Sequence, residues 1–303
     1  MPSIDAFNDF SRLHTTGEPL VLFNVWDAGS AQAVARAGAK AIATSSASIA
    51  EANGLSDGQE VAMDFAIDNA RRIVNSVDLP VTIDFEGAYA IDPDAVERNA
   101  ALLTKTGAVG CNFEDQVVGT DELYSIEEQA RRIAAVRRAV GSHFFINART
   151  DVFMKAPMES HDAAMVDHAL DRARAYADAG ANGFFVPLLA NLSLLERLCA
   201  KSPVPVNFMT FPGCPTNRDV AATGIARVSH GPFPYRDLMK RLEEAAAAAF
   251  QNQLASRKRV MSGGVTPPPK TIIRTCSPGP RERGGGRPAR RPDRTSSSDT
   301  RPA

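Results

Sequence analysis

A chain of 303 residues, 44% of them hydrophobic, can bury one large core or two small ones, yet no apolar run approaches the ~20 residues needed to cross a bilayer. The overall charge of −1 conceals a split: residues 256–303 carry twelve basic and three acidic side chains, leaving 22 basic and 32 acidic ones for residues 1–255. The opening MPSIDAFNDF lacks the order of a secretory signal, and Cys111, Cys199, Cys214 and Cys276 form no C-x-x-C pair, which argues against a zinc site or disulfide framework and fits a reducing cytoplasm.

In chain order, eight short apolar runs read as strands, at about 21–26, 41–45, 81–85, 109–114, 144–148, 183–187, 204–209 and 226–230. Amphipathic stretches fall between them. Four end in a glycine where a helix needs left-handed backbone, at Gly38, Gly107, Gly180 and Gly224. Helix starts carry caps: Asp27 after the first strand, Asp92 followed by Pro93, and the capping-box spacings Ser125/Glu128 and Ser193/Glu196. The run from Tyr235 to Phe250 supplies an eighth helix. Eight strands alternating with helices over about 230 residues predict an α/β fold, a (β/α)8 TIM-type barrel. An open doubly wound sheet would want a G-x-G-x-x-G after its first strand, and none is present. The pattern stops near Ser256, so the domains are a catalytic barrel over 1–255 and a basic Pro/Gly/Arg-rich tail over 256–303, expected to be disordered because it holds few core-forming residues. That tail could attract nucleic acid by charge, but it contains no Phe, Tyr or Trp to stack on bases, so a nucleic-acid partner is not expected.

In such a barrel chemistry belongs at the C-terminal ends of the strands. Those ends carry Asn24 and Asp27, Ser45 and Ser46, Asp84 and Glu86, Glu114 and Gln116, Asn147 with Arg149 and Asp151, Asn207 with Thr210, and His230. Charges where buried strands emerge are costly unless they meet water, a cation or a ligand. Asp84, Glu86 and Glu114 form an all-oxygen set suited to a hard divalent ion such as Mg2+. Each residue also has a plainer role open to it. The carboxylates could cap helices, Arg149 could pair with Asp151, Ser45 and Ser46 could satisfy local backbone, and Asp27 could be only an N-cap. Cys111 lies within the fourth strand as core, and His230 reads as a hydrogen-bonding residue.

Six stretches in register, F23-N-V-W-D-A-G-S30, T44-S-S-A47, D84-F-E-G-A-Y89, N112-F-E-D-Q116, I146-N-A-R-T-D151 and A175-Y-A-D-A-G-A181, resemble the isocitrate lyase/phosphoenolpyruvate mutase superfamily from about residue 10 to 250. The resemblance implies a (β/α)8 barrel that binds Mg2+, or Mn2+ in its place, together with an α-oxycarboxylate. By motif, Asp84 would be the direct metal ligand, and Glu86 and Glu114 would act mostly through metal-bound water. Asp57, in L55-S-D-G58, would approach the same ion. Ser45, Ser46 and Ala47 would offer hydroxyl and backbone N–H groups to the substrate carboxylate, and Arg149 would clamp substrate oxygens. Ser45, Glu114 and Arg149 are thus the catalytic candidates.

Two departures shape the expected chemistry. Many members have Asp-x-Asp where this chain has Asp84-Phe85-Glu86. The lyases acting on isocitrate and methylisocitrate carry a Lys-Lys/Arg-Cys-Gly loop after the fourth strand, whose thiol donates a proton. Here residues 116–125 read QVVGTDELYS, without cysteine or lysine. The resulting expectation is a cytoplasmic, Mg2+-dependent lyase cleaving a C–C bond of a small 2-oxo or 2-hydroxy carboxylate through an enolate-like intermediate, closest to a decarboxylase. The alternatives are a phosphoenolpyruvate/phosphonopyruvate mutase or hydrolase acting on a P–C bond, and a non-catalytic barrel that binds an organic acid. The partners expected are the small carboxylate and further copies of the chain in a dimer or tetramer, with no membrane.

Overall fold

The computed structural model describes residues 4–262, with side chains described through Gln251. Eight strands, β1 (Leu20–Leu22), β2 (Ile42–Ala43), β3 (Val81–Asp84), β4 (Gly110–Glu114), β5 (Phe145–Arg149), β6 (Gly183–Val186), β7 (Val206–Met209) and β8 (Arg227–Ser229), fall where the apolar runs predict them. Every pairing in the order β1-β8-β7-β6-β5-β4-β3-β2 is parallel. Just beyond β1, Val25 bridges to Thr44 after β2, with Val25 N–H donating to Ala43 O at 2.8 Å and Ser45 N–H to Val25 O at 3.1 Å, which closes the barrel.

Helices alternate with the strands: α2 (Ala28–Arg36), α3 (Ser46–Ala52) and α4 (Met63–Val74), α5 (Pro93–Ala100), α6 (Ile126–Val140), α7 (Ala163–Asp178), α8 (Leu192–Lys201), α9 (Asn217–Ala222) and α10 (Phe233–Ser262) follow a leading α1 (Ile4–Arg12). Gly38, Gly107, Gly180 and Gly224 all take positive φ. Asp27, Asp92 and Ser125 cap α2, α5 and α6 as predicted. Ser193 does not cap. Asn191 accepts the Leu194 N–H and starts α8 two residues earlier than the Ser/Glu spacing implied. Helix α10 likewise runs past residue 255 to Ser262, because no Gly or Pro interrupts the chain between Pro234 in its first turn and Gly263. The barrel unit ends at Ala249. The stretch 263–303, most of the expected disordered tail, lies outside the described residues.

Helix α1, which the strand count did not anticipate, closes the N-terminal end of the barrel. Its Phe10 is buried against Leu20, Val109 and Phe145, edge-on to the Phe145 ring at 5.3 Å. That leaves the C-terminal ends of the strands for a site. The interior below them is polar: Asn147 donates to Asn112 Oδ1 at 2.9 Å and to Asn207 Oδ1 at 3.0 Å, and Arg227 reaches Asn112 Oδ1 at 3.1 Å. Gly183 makes room for this layer, since a Cβ there would sit 2.8 Å from Asn147 Oδ1. On the outside, Val21 in β1, Phe23 just after it, and Leu238 and Leu242 on α10 remain exposed. Among the described residues no helix is long and apolar enough to cross a membrane.

Candidate active site

The β3–β4–β5 register sets the acidic end of the site. Asp84 pairs with Asn112, and Glu114 with Arg149, so one strand's carboxylate stands beside the next strand's partner. Asp84 is fixed by α3: the Ser46 N–H and Oγ–H both donate to Oδ2, at 3.1 and 2.9 Å, and Asn112 Nδ2 lies 3.4 Å from Oδ1. Glu86 follows β3 on a turn in which Glu86, Ala88 and Tyr89 all have positive φ (50°, 60° and 55°). For residues with a Cβ such backbone is strained, and it persists only where surroundings enforce it. Arg132 on α6 does so here, donating 2.8 Å bonds to Gly87 O and Ala90 O while Gln129 Nε2 holds Glu114 O at 2.9 Å. Glu86 accepts from Gln59 N–H at 2.7 Å, and Gln59 itself has φ 65°. The loop carrying Asp57 is thereby drawn over β3.

The four carboxylates share an electrostatic problem. Burial, then Asp57 and Asp84, push the Glu86 carboxyl up to about 7. Burial, then Asp84, raise Asp57. Burial raises Glu114 well above the carboxylate range against the pull of Arg149. Arg149 Nη1 lies 2.8 Å from Glu114 Oε2, while Nε and Nη2 bind Asp151 at 2.6 and 2.9 Å. Burial works against the Arg149 charge, but Asp151 and Glu114 outweigh it and keep the guanidinium protonated. Asp57, Asp84 and Glu86 have no ion pair with a Lys, Arg or His side chain among the described residues.

This donor set fits a hard divalent cation. It is all oxygen, and excess negative charge is concentrated in it, since among the described residues only Glu114 of the four has an ion pair. Among the described residues no three acidic, histidine or cysteine side chains converge closely enough to ligate one ion directly. An ion held here would have one or two direct carboxylates and keep several of its waters, a coordination open to Mg2+.

A cavity of about 210 Å3 opens at the barrel mouth, lined by Ser45, Ser46, Ala47, Asp57, Asp84 and Arg149, with Asn24, Phe185 and Met209 among its other walls. A second space of about 520 Å3 shares Asp57 and Arg149 and adds Glu86, Glu114 and Gln116. All eight residues singled out for metal or substrate thus meet in two adjoining spaces. Their donors are not equally available. Ser45 caps α3 through its Oγ, which accepts from Ser48 N–H, so its own proton remains to be donated. The Ala47 N–H has no hydrogen-bond partner among the described residues. Ser46 is spent on Asp84. Asn24 ties the rim, donating to Thr44 O and accepting from His230 and Gly231 N–H.

Other strand-end residues lie apart. Asp27 is an exposed cap bound to Ser30. His230 turns to Leu22 O and the Phe23 ring rather than into the cavity. Cys111 is fully buried, its thiol pushed up to about 12 by burial. Cys199 and Cys214 are also free thiols, and Cys276 lies outside the described residues. Sequence reasoning missed Arg236, at the start of α10, which lines the cavity and pairs with Glu51 of α3. It also missed Asp115, which is fully buried and accepts from Arg172 Nη1 at 2.9 Å, Tyr176 OH at 2.8 Å and Asp151 N–H at 2.9 Å.

Comparison with known proteins gives a consistent picture. Residues 10–250 match the family model described as phosphoenolpyruvate phosphomutase. A Burkholderia cenocepacia structure provisionally named a phosphonomutase is 47% identical, covers 81% of this chain and 98% of its own, and superposes with a TM-score of 0.79. An uncharacterized Mycobacterium tuberculosis protein is 33% identical over 82% of this chain and 91% of its own. The 2-methylisocitrate lyase of Salmonella typhimurium is 32% identical over 62% of this chain and 64% of its own. Phosphonopyruvate hydrolase, whose structure holds oxalate and Mg2+, shares the barrel at 19% identity and a TM-score of 0.72 over 84% of this chain and 88% of its own.

Proposed function

The chain belongs to the phosphoenolpyruvate phosphomutase family, whose relatives include lyases, mutases and hydrolases, and from that premise we propose that it is a Mg2+-dependent lyase that breaks a C–C bond in a small 2-oxo or 2-hydroxy carboxylate. The observation that carries this reading is the pairing, in one small cavity, of an uncompensated acidic face with free donors. Asp57 and Asp84 line it, and Ser45 Oγ–H and Ala47 N–H stand beside them at the start of α3, on either side of the Ser46 that binds Asp84. Asp84 would hold Mg2+ directly, with Glu86, Glu114 and Asp57 reaching it through water. When bound, Mg2+ supplies Lewis-acid polarisation as enolate charge develops on the substrate. Ser45 and Ala47 orient the carboxylate, and the Arg149–Glu114 pair walls the same mouth with one Nη1 proton left to donate. Preorganised donors of this kind contribute about two to three decades each.

Decarboxylation suits the residues best. Retro-aldol cleavage needs a base for the hydroxyl and an acid for the enolate, whereas CO2 leaves without proton transfer. The loop after β4 offers neither thiol nor ammonium, and Cys111 lies buried within β4. P–C chemistry is the second reading, favoured by the 47% identical relative. It develops charge on three phosphoryl oxygens, yet one of the two guanidiniums lining the cavity is already taken up by Glu114 and Asp151. The homo-oligomer, a dimer or tetramer, belongs to the same reading. Val21 in β1, Phe23 just after it, and Leu238 and Leu242 on α10 are apolar surface that a second copy could cover, and a monomeric solution mass would remove that part.

The test is a product screen of 2-oxo and 2-hydroxy acids and phosphonopyruvate, with and without Mg2+. The reading predicts Mg2+-dependent release of CO2 or another carbon fragment from a C–C substrate. Release of inorganic phosphate or formation of phosphoenolpyruvate alone would establish the second reading, and tight binding without turnover would mark a non-catalytic acid-binding barrel.

A further inference from the structure

Two guanidiniums line the cavity, and their unused donors differ. Arg149 spends its Nε/Nη2 edge on both oxygens of Asp151, and its terminal nitrogens on Glu114 Oε2 at 2.8 Å and Met154 Sδ at 3.3 Å. Its guanidinium sits between two carboxylates, so the group as a whole adds no positive charge to the cavity. Arg236 also gives its Nε/Nη2 edge to a carboxylate, with Nε 2.9 Å from Glu51 Oε1. Its Nη1 has no partner among the described residues, so the Nη1/Nη2 edge remains open. That edge matches the spacing of two oxygens on one carboxylate or phosphonate. Asp57 and Asp84 line the same cavity, and the Asp57 charge acts on Arg236, while Met209, Phe185 and Phe233 supply apolar wall.

We infer that Arg236 is the specificity-determining residue of this site, reading a second anionic group on a substrate whose carboxylate and α-oxygen face Asp84 and Ser45. The inference rests on the proposed metal–carboxylate reading and assigns the residue that distinguishes acids with a second anionic group from those without one. Glu51 is the competitor built into the protein: it holds the arginine at the mouth from α3, the same helix whose first turn carries Ser46 and Ala47. A monoanionic acid of the same length would leave the open edge facing water.

The test is calorimetric binding to the full chain in Mg2+, with three probes of matched carbon skeleton and with product analysis to confirm that none turns over: malate, 3-phosphonolactate and 2-hydroxybutyrate, the last having a methyl group in place of the distal anion. The wild type is expected to bind malate or 3-phosphonolactate roughly tenfold more tightly than 2-hydroxybutyrate, the effect of a charge-assisted pair at a half-exposed side chain. Whichever dianion gains more identifies the distal group. Arg236→Gln should abolish that preference while leaving 2-hydroxybutyrate affinity unchanged, and Arg236→Lys should restore part of it. A wild type that binds all three equally, or an Arg236→Gln variant that keeps its preference, overturns the inference and leaves the metal–carboxylate reading standing. Failure of every probe to bind, together with failure of oxalate, would instead remove the reading beneath it.

Discussion

Replacing Asp84 with alanine is expected to abolish Mg2+-dependent turnover, by about three decades or more, without unfolding the protein. The carboxylate is fixed in place: two donors from Ser46 and one from Asn112 hold both oxygens. It also faces Asp57 and Glu86, whose protonation it favours by repulsion. Removing it relieves that repulsion, so the metal-free variant should melt no lower than the metal-free wild type. Function and stability are then opposed at one residue, as expected of a site whose charges are arranged for a ligand rather than for the fold. Full activity in Asp84→Ala, measured on the substrate that the product screen identifies, would reject the metal role. Lost activity accompanied by a large fall in melting temperature would indicate a structural role instead.

Asp115→Ala should act in the opposite way. Asp115 is wholly buried with Arg172 and Tyr176, and it accepts the Asp151 N–H. Breaking a buried pair from one side leaves a charge without a partner, at a cost of about 3–5 kcal/mol. In a barrel of this size that lowers the melting temperature by on the order of 10 °C. The damage should also reach the site, because Asp151 orients Arg149 through two hydrogen bonds. Pairing Asp115→Leu with Arg172→Met, which removes both charges, should recover much of the stability. A single variant as stable as the wild type in thermal or urea unfolding would contradict the account of this network.

These two residues also mark how far the sequence could be read. Asp84 was legible because it ends an apolar run, and a charge at the mouth of a buried strand has few inexpensive explanations. Glu114 was visible for the same reason, Ser45 and Ser46 gained a role only through the family resemblance, and the glycines with positive φ fixed where helices stop. Asp115 follows Glu114 directly, yet its meaning depends on Arg172 and Tyr176, 57 and 61 residues away on α7. No local pattern announces such a pairing. Arg236 was hidden for a related reason: its approach to the mouth depends on where α10 starts, and on Glu51 185 residues earlier. Helix α1 was overlooked because its signal, apolar residues at Ile4, Phe7 and Phe10, lies before the repeating strand–helix pattern begins. The acidic strand ends could not reveal that Ser46 would be consumed by Asp84, leaving Ser45 and Ala47 as the free donors.

The central claim, that Asp57, Asp84, Glu86 and Glu114 together hold a divalent cation against a carboxylate, is tested most directly by thermal unfolding of the full chain with and without Mg2+ and oxalate at pH 8 and pH 5. Glu86 titrates near 7 in the metal-free fold and near 4.5 when unfolded. Its contribution to stability is therefore fully present below about 4.5 and is lost as pH rises through about 7. The metal-free protein should accordingly lose stability over that range, and Mg2+ with oxalate should restore it. The predicted result is a rise of several degrees at pH 8 that shrinks at pH 5, where the cation must displace protons from the same carboxyls. No rise at pH 8 with millimolar Mg2+ and oxalate, or a rise as large at pH 5, would contradict the account.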